Sequence, residues 1–278
     1  TEIFSDLEFR TLGKRILGED YSVNTATPKK TSAAKPTGQA SLFGELEESA
    51  SIATDAKEIS FGKDIYNTEH QYHLIETEEQ IEKLLKKILA ADKVCFDTET
   101  TSLDANNCAL VGMSFSVLPH EAYYVPVPSD AIEAHQLVQC FKPFFENKKI
   151  IKIGQNIKYD QLVLKWYGIE VQGTLFDTML AHYLMDADSR HNMNALAENY
   201  LGYTPVSITE LIGKKGPSQK NMRDVPLEQI KEYAAEDADV TLQLYQKFNK
   251  EIENTHLHKL FYDVETPLIP VLTDMEYE

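Results

Sequence analysis

The sequence predicts an α/β domain with a mixed central sheet flanked by helices, attached to a disordered N-terminal linker. Three observations predict it. Composition changes near residue 70, from a stretch rich in Ser, Thr, Ala, Pro and Lys to regular apolar patterns. From there the chain reads helix, strand, two adjacent strands, helix, strand and then helices, the order of an α/β domain. Hydrophobic residues make up 42% of the chain, enough for a real core.

Each element has a local cause. Residues 4–17 carry a weak helical periodicity and read, within residues 1–20, as the end of something that precedes. Residues 21–58 hold few large apolar side chains and bury too little surface to offset their ordering entropy, so 21–69 is a flexible linker. Thr77-Glu78-Glu79-Gln80 is a capping box. It opens a helix whose apolar positions Ile81, Leu84, Leu85, Ile88 and Leu89 share one face. Residues 93–97 (KVCFD), 109–117 and 122–127 read as strands; the second is nearly continuously apolar and therefore central. Residues 131–146 are helical, with Pro143 breaking or kinking the last turn. Residues 149–154 form a strand and 157–167 a helix. Asp177 caps a further helix, and 191–202 contains another that stops at Gly202. Residues 213–224 (GKKGPSQKNMRD) are a basic loop, and Pro226 starts a long helix to about Asn254.

Composition also excludes. No apolar run reaches ~18 residues, so no membrane span is expected. TEIFSDLEFR has no basic start leading into an apolar stretch, so no signal peptide is read there. Cys95, Cys108 and Cys140 are widely spaced and odd in number, which fits apolar thiols in a reducing cytosol rather than a disulfide framework. The formal charge, 27 − 44 = −17, argues against gripping nucleic acid by bulk charge. It is compatible with reaching a phosphate through cations, whose sites are built from carboxylates.

The acids are placed suggestively. Asp97 and Glu99 stand two apart at the end of a core strand, so both project from one face. Two such carboxylates repel unless a cation lies between them; solvated acids in a turn are the other reading. Asp160 follows a strand end at the start of a helix, where the helix dipole alone would also favour it. Asp237 interrupts the apolar stripe Ile230, Tyr233, Val240, Leu244 of the long helix. Burying an ionised carboxylate without a partner is costly, and a metal would remove the cost. Tyr233, one turn earlier, reaches the same pocket. Glu236 and Asp239 are expected on a solvated face.

FDTETTSLD (96–104), GQNIKYD (154–160) and YAAEDAD (233–239) resemble the three motifs of the DEDD exonuclease superfamily. With LFDTML (175–180), RHNMNALAE (190–198) and VETPLIPVL (264–272), they resemble more narrowly the 3′–5′ proofreading domain of bacterial DNA polymerase I, family A. The resemblance implies a ribonuclease-H-like fold and a four-acid site at Asp97, Glu99, Asp160 and Asp237. Tyr233 stands four before Asp237 where a second version of the motif has histidine five before, so the tyrosine version is implied. It further implies two divalent cations, Mg²⁺ first and Mn²⁺ or Zn²⁺ as substitutes, clamping the attacking and leaving oxygens. Asp97 would bridge them, Glu99 and Asp237 complete the inner site, and Asp160 hold the second. Tyr233, with an ordinary pKa of ~10, orients the attacking water rather than acting as base.

The implied substrate contacts are Thr98, Leu103 as a wedge between terminal bases, Gln155, Asn156, Lys158, Tyr159 and Arg190. For Lys158 and Arg190 a surface salt bridge competes with a phosphate contact. The family's base-stacking aromatic before residue 213 is missing from Val206-Ser207-Ile208-Thr209, which leaves Ile208 with apolar contact only. The expected partner is a single-stranded or frayed 3′ end of DNA. Gln39, Leu42 and Phe43 resemble a peptide that docks into bacterial sliding clamps, or are a chance apolar pair in a tether. Residues 1–20 resemble the tail of a 5′-nuclease domain, 70–262 the exonuclease, and 263–278 the start of a truncated polymerase domain, so the chain is expected to be a cytoplasmic, nucleoid-associated fragment. An RNA-trimming enzyme of the ribonuclease D type and a non-catalytic scaffold or clamp-tethering module are the alternatives.

Overall fold

The computed structural model describes residues 62–278 apart from 215 and 217. Gln39, Leu42 and Phe43 lie outside the described residues. Six strands build one sheet: β1 (Gln71–Leu74), β2 (Lys93–Thr100), β3 (Leu110–Leu118), β4 (Glu121–Pro126), β5 (Ile151–Gly154) and β6 (Leu175–Asp177). Their spatial order is β1-β4-β3-β2-β5-β6. β3 runs antiparallel to both β2 and β4, whereas β1–β4, β2–β5 and β5–β6 are parallel. The mixed sheet is therefore as the sequence predicts. The two edge strands are additions, four and three residues long, too short to show an alternating pattern.

β2 also runs three residues further than expected, to Thr100, so Glu99 lies inside it as well and Asp97 is no longer its last residue. Asp97 faces Ser114 and Glu99 faces Gly112 across the antiparallel pair, and the register shifts between Glu99 and Thr100. A Cβ on Gly112 would fall 2.2 Å from the Tyr124 hydroxyl, so only glycine lets that ring cross β3.

The helices follow from their caps. α1 (Glu78–Leu89) begins with the complete Thr77–Gln80 capping box and buries Leu84 and Ile88. The 131–146 helix is two: α2 (Ala131–Cys140) and α3 (Lys142–Phe145), with Pro143 in the first turn of the second, where its missing N–H costs nothing. Phe141, Phe144 and Phe145 meet Phe96 and Phe115 in the main core. α4 (Ile157–Trp166) starts after Asn156, which is left-handed (φ 58°) and makes no side-chain cap. The cap comes from Asp177 instead: its carboxylate accepts from the N–H groups of Asn156 and Ile157. It also accepts from Met179 and Leu180 at the start of α5 (Thr178–Met185), so one buried acid caps two helices.

α6 (Met193–Leu196) passes into a wider turn that ends at left-handed Gly202, as the sequence predicts. After α7 (Ile208–Ile212), α8 (Leu227–Glu253) runs from Pro226 across β2, β3 and β4. α9 (Leu257–Lys259) leads through another wide turn to α10 (Thr266–Tyr277). α10 buries Ile269 and joins α4 through a Thr273–Gln161 hydrogen bond of 3.1 Å. Residues 62–69, read from composition as linker, belong to the fold: Lys63 bridges to Tyr203 and Ile65 is buried. No helix among the described residues is long and apolar enough to cross a membrane.

Candidate active site

β2 is a central strand, and its alternation turns Asp97 and Glu99 to the side covered by α8. There α8 supplies Asp237. One carboxylate oxygen from each of Asp97, Glu99 and Asp237 lies within 4.8 Å of the other two. Glu99 is buried and the two aspartates are half-buried. Asp237 Oδ1 is fully shielded from solvent and has no hydrogen-bond partner among the described residues.

These acids resist ionisation. Burial pushes Asp97 up to about 7. Burial and then the charge of Asp97 hold Glu99 well above the usual carboxylate range; for Asp237 the charge of Glu99 adds to both. Three clustered carboxylate oxygens, beside an Asp237 oxygen without a hydrogen-bond partner among the described residues, fit a hard divalent cation by charge and by ligand type. Asp160, the fourth acid, stands just outside the trio. It is buried in the first turn of α4, and its Oδ1 accepts from Thr98 N (3.0 Å) and Thr98 Oγ1 (2.5 Å). Burial and the charge of Asp97 raise it too.

Tyr233 is buried among Val111, Tyr124 and Ile230. Burial first, then the charges of Asp237, Glu99 and Asp97, push its hydroxyl far above the ordinary tyrosine value. The hydroxyl therefore keeps its proton and faces the acids as a donor.

A family model described as 3′–5′ exonuclease matches residues 72–253, a span that contains all five of these side chains. The chain belongs to the 3′–5′ exonuclease family. DNA polymerase I of Pseudomonas aeruginosa is 35% identical over 241 residues, covering 83% of this chain and 26% of that protein. DNA polymerase I of Borreliella burgdorferi is 35% identical over 210 residues, covering 74% and 22%. The exonuclease thus spans about a quarter of the length of the curated relatives it matches. Among solved structures, Brucella melitensis NrnC shares the fold with a TM-score of 0.58 at 20% identity, over 74% of this chain and 92% of that one. The catalytic core of RRP6 from Trypanosoma brucei shares it at 0.54 and 20% identity, over 73% and 55%. The fold is the ribonuclease-H-like one.

Around the acids of the exonuclease, the expected substrate side chains divide. Leu103 is 88% exposed beside the motif. The Asn156 side chain is exposed and makes no hydrogen bond among the described residues. Arg190 is exposed and has no ion pair among them. The others are engaged. Both donors of Thr98 go to Asp160. Tyr159 bonds Thr100 Oγ1 (2.5 Å) and the Ser102 carbonyl (2.6 Å), bracing the turn that presents Leu103. Gln155 bonds the His191 carbonyl (2.8 Å) and accepts from Thr178. Lys158 pairs with Glu276 of α10, the competing role the sequence leaves open.

One expectation fails. Glu236 and Asp239 are not on a solvated face; they are 0% and 2% exposed. Glu236 accepts from the Tyr203 hydroxyl (2.5 Å) and from Val206 N (2.8 Å). Asp239 accepts from the Tyr72 hydroxyl (2.9 Å), His120 N (2.8 Å) and Gln243 Nε2 (3.0 Å). β1, the β3–β4 turn and the segment after Gly202 cover the side of α8 expected to meet water. Its Ala234, Ala235 and Ala238 are the signal that could have shown this, since small residues between acids let neighbours approach all round.

Proposed function

We propose that the exonuclease hydrolyses nucleotides from the 3′ end of DNA in a proofreading role, using Asp97, Glu99, Asp160, Asp237 and Tyr233. The observation that carries this reading is the convergence of Asp97, Glu99 and Asp237, together with a shielded Asp237 oxygen that has no hydrogen-bond partner among the described residues. Asp97, Glu99 and Asp237 would hold one divalent cation, and Asp97 with Asp160 a second. Mg²⁺, or Mn²⁺ or Zn²⁺ in its place, suits this all-oxygen donor set and would supply charge neutralisation and an activated water. Thr98 holds Asp160 in place through two hydrogen bonds. Tyr233, protonated, donates toward the acids and aims the attacking water. Leu103 wedges under the terminal base, and Asn156 and Arg190 are free for the nucleotide and its phosphates.

Such a site reads backbone and base faces rather than sequence. Selection of mismatches then comes from the DNA: a frayed end separates at low cost, whereas a paired one must first be melted. The kinship with bacterial DNA polymerase I supports DNA as substrate and the cytoplasm, at the nucleoid, as location. A sliding clamp reached through Gln39, Leu42 and Phe43 would be a further partner; a clamp pull-down that survives Leu42→Ala with Phe43→Ala removes it. The function is tested with 5′-labelled single-stranded DNA and RNA in Mg²⁺. A ladder shortened from the 3′ end of DNA, absent in EDTA and in Asp97→Ala, supports it. Preference for RNA, or a ladder that persists in Asp97→Ala, overturns it.

A further inference from the structure

Behind Gln155 lies a polar chain that the proposed chemistry does not use. His182 of α5 is 2% exposed. Its Nδ1 is 2.7 Å from Nδ1 of His191, and its Nε2 is 3.0 Å from the Tyr200 hydroxyl. Two imidazole nitrogens at that separation share one proton, one donating and the other accepting. His191 in turn accepts at its backbone carbonyl from Gln155 Nε2 (2.8 Å), and Thr178 donates to Gln155 Oε1. Tyr200, His182, His191, Gln155 and Thr178 thereby tie the loop between α5 and α6 to the residue that follows β5. Arg190, exposed and without an ion pair among the described residues, is the next residue to His191.

We infer that His182 is a positioning residue of the exonuclease: by bonding His191 it fixes Arg190 beside the Gln155–Asn156 corner, where the terminal nucleotide and its phosphate bind. The inference rests on the function proposed above, and His182 itself touches no substrate. Packing alone does not require histidine there. The ring lies 5.6 Å from that of Phe248 and 5.2 Å from that of Tyr200, places a phenylalanine would also fill. A buried imidazole is tolerated because both its nitrogens are partnered, and the partners gain a fixed geometry in return.

The shared proton also gives the arrangement a pH signature. A first added proton leaves the bond intact, since His182 can donate from both nitrogens. A second makes both Nδ1 atoms donors and breaks it. The groups facing the pair are Tyr200, the Phe248 ring, Tyr183 against His191, and Asp186; Glu251 acts on Tyr200. Burial and then His191 hold His182 below the ordinary imidazole value, with Asp186 opposing. Falling pH therefore works against the bond.

The test is steady-state degradation of a 5′-labelled oligodeoxynucleotide between pH 5.5 and 8, with melting curves for each variant. His182→Phe should raise KM about five- to tenfold, the scale of one lost buried hydrogen bond, with kcat changed by no more than about twofold. His182→Asn, which keeps an amide near the Nδ1 position, should restore KM. It should also abolish the rise in KM that the parent shows toward the acid end of that range. If His182→Phe does not fold, the Asn comparison decides alone. Equal KM for parent and folded His182→Phe, or the same acid rise in parent and His182→Asn, overturns the inference and leaves the function intact. A parent chain that neither binds nor shortens the oligonucleotide overturns the function, and this inference with it.

Discussion

Two sets of acids one step apart on α8 meet opposite fates. Glu236 and Asp239 are buried and satisfied: two donors converge on the first and three on the second. Asp237, between them in sequence, points to β2, where its neighbours are Asp97 and Glu99 and one of its oxygens meets no donor among the described residues. A carboxylate surrounded by hydrogen-bond donors is a structural joint. A carboxylate surrounded by other carboxylates is a liability, relieved by holding a proton or by a cation. Burial alone does not separate structure from function on this helix; what the acid faces does.

The contrast is broken most strongly by exchanging charge for amide. Asp237→Asn should cut nuclease kcat by on the order of 10²–10³-fold, the scale of removing one charged group from a preorganised site. Its metal-free melting temperature should stay level or rise, because repulsion falls. Tyr233→Phe, which keeps the packing and removes the donor, should cost about 10–100-fold in kcat with little change in KM. Asp239→Ala should behave in the reverse sense. It strands the Tyr72 hydroxyl and the His120 N–H, at about 1–3 kcal/mol for each stranded group in urea denaturation. Its activity should then track the folded fraction.

Titration sharpens the comparison. The folded-state pKa of Asp97 is raised by burial from 3.8 to about 7. The metal-free protein therefore loses stability as pH rises from the unfolded value through about 7. Glu236, raised by burial from 4.5 to about 7, acts in the same direction. Mn²⁺ should cancel only the first contribution. Its stabilising effect on the melting temperature should grow between pH 6 and 8 in the parent. That growth should shrink in Asp97→Asn and persist in Glu236→Gln. Equal Mn²⁺ stabilisation at both pH values in the parent would remove the link between these acids and the cation.

Much of this was legible in the chain, for a physical reason. Local pattern put Asp97 and Glu99 on one strand face and Asp237 and Tyr233 on one helix face, but left turn and helix-dipole readings open for Asp97, Glu99 and Asp160; the resemblance of their short motifs is what grouped the five. The Thr77 cap, the break at Pro143 and the stop at Gly202 were legible likewise, because capping and proline chemistry act within a few residues. What was not legible depends on distant chain. β1 and β6 are too short for a period and exist because neighbouring strands supply their partners. The donors that satisfy Asp239 come from Tyr72 and His120, and no pattern around Asp239 announces them. Asp177 was half legible: its cap on α5 is local, its cap on α4 is not.

The most direct measurement is an anomalous difference map from a crystal soaked in Mn²⁺. It should show density at the shared approach of the Asp97, Glu99 and Asp237 carboxylates, and none beside Glu236 or Asp239. An empty trio at saturating Mn²⁺, in crystals that remain ordered, would contradict the account.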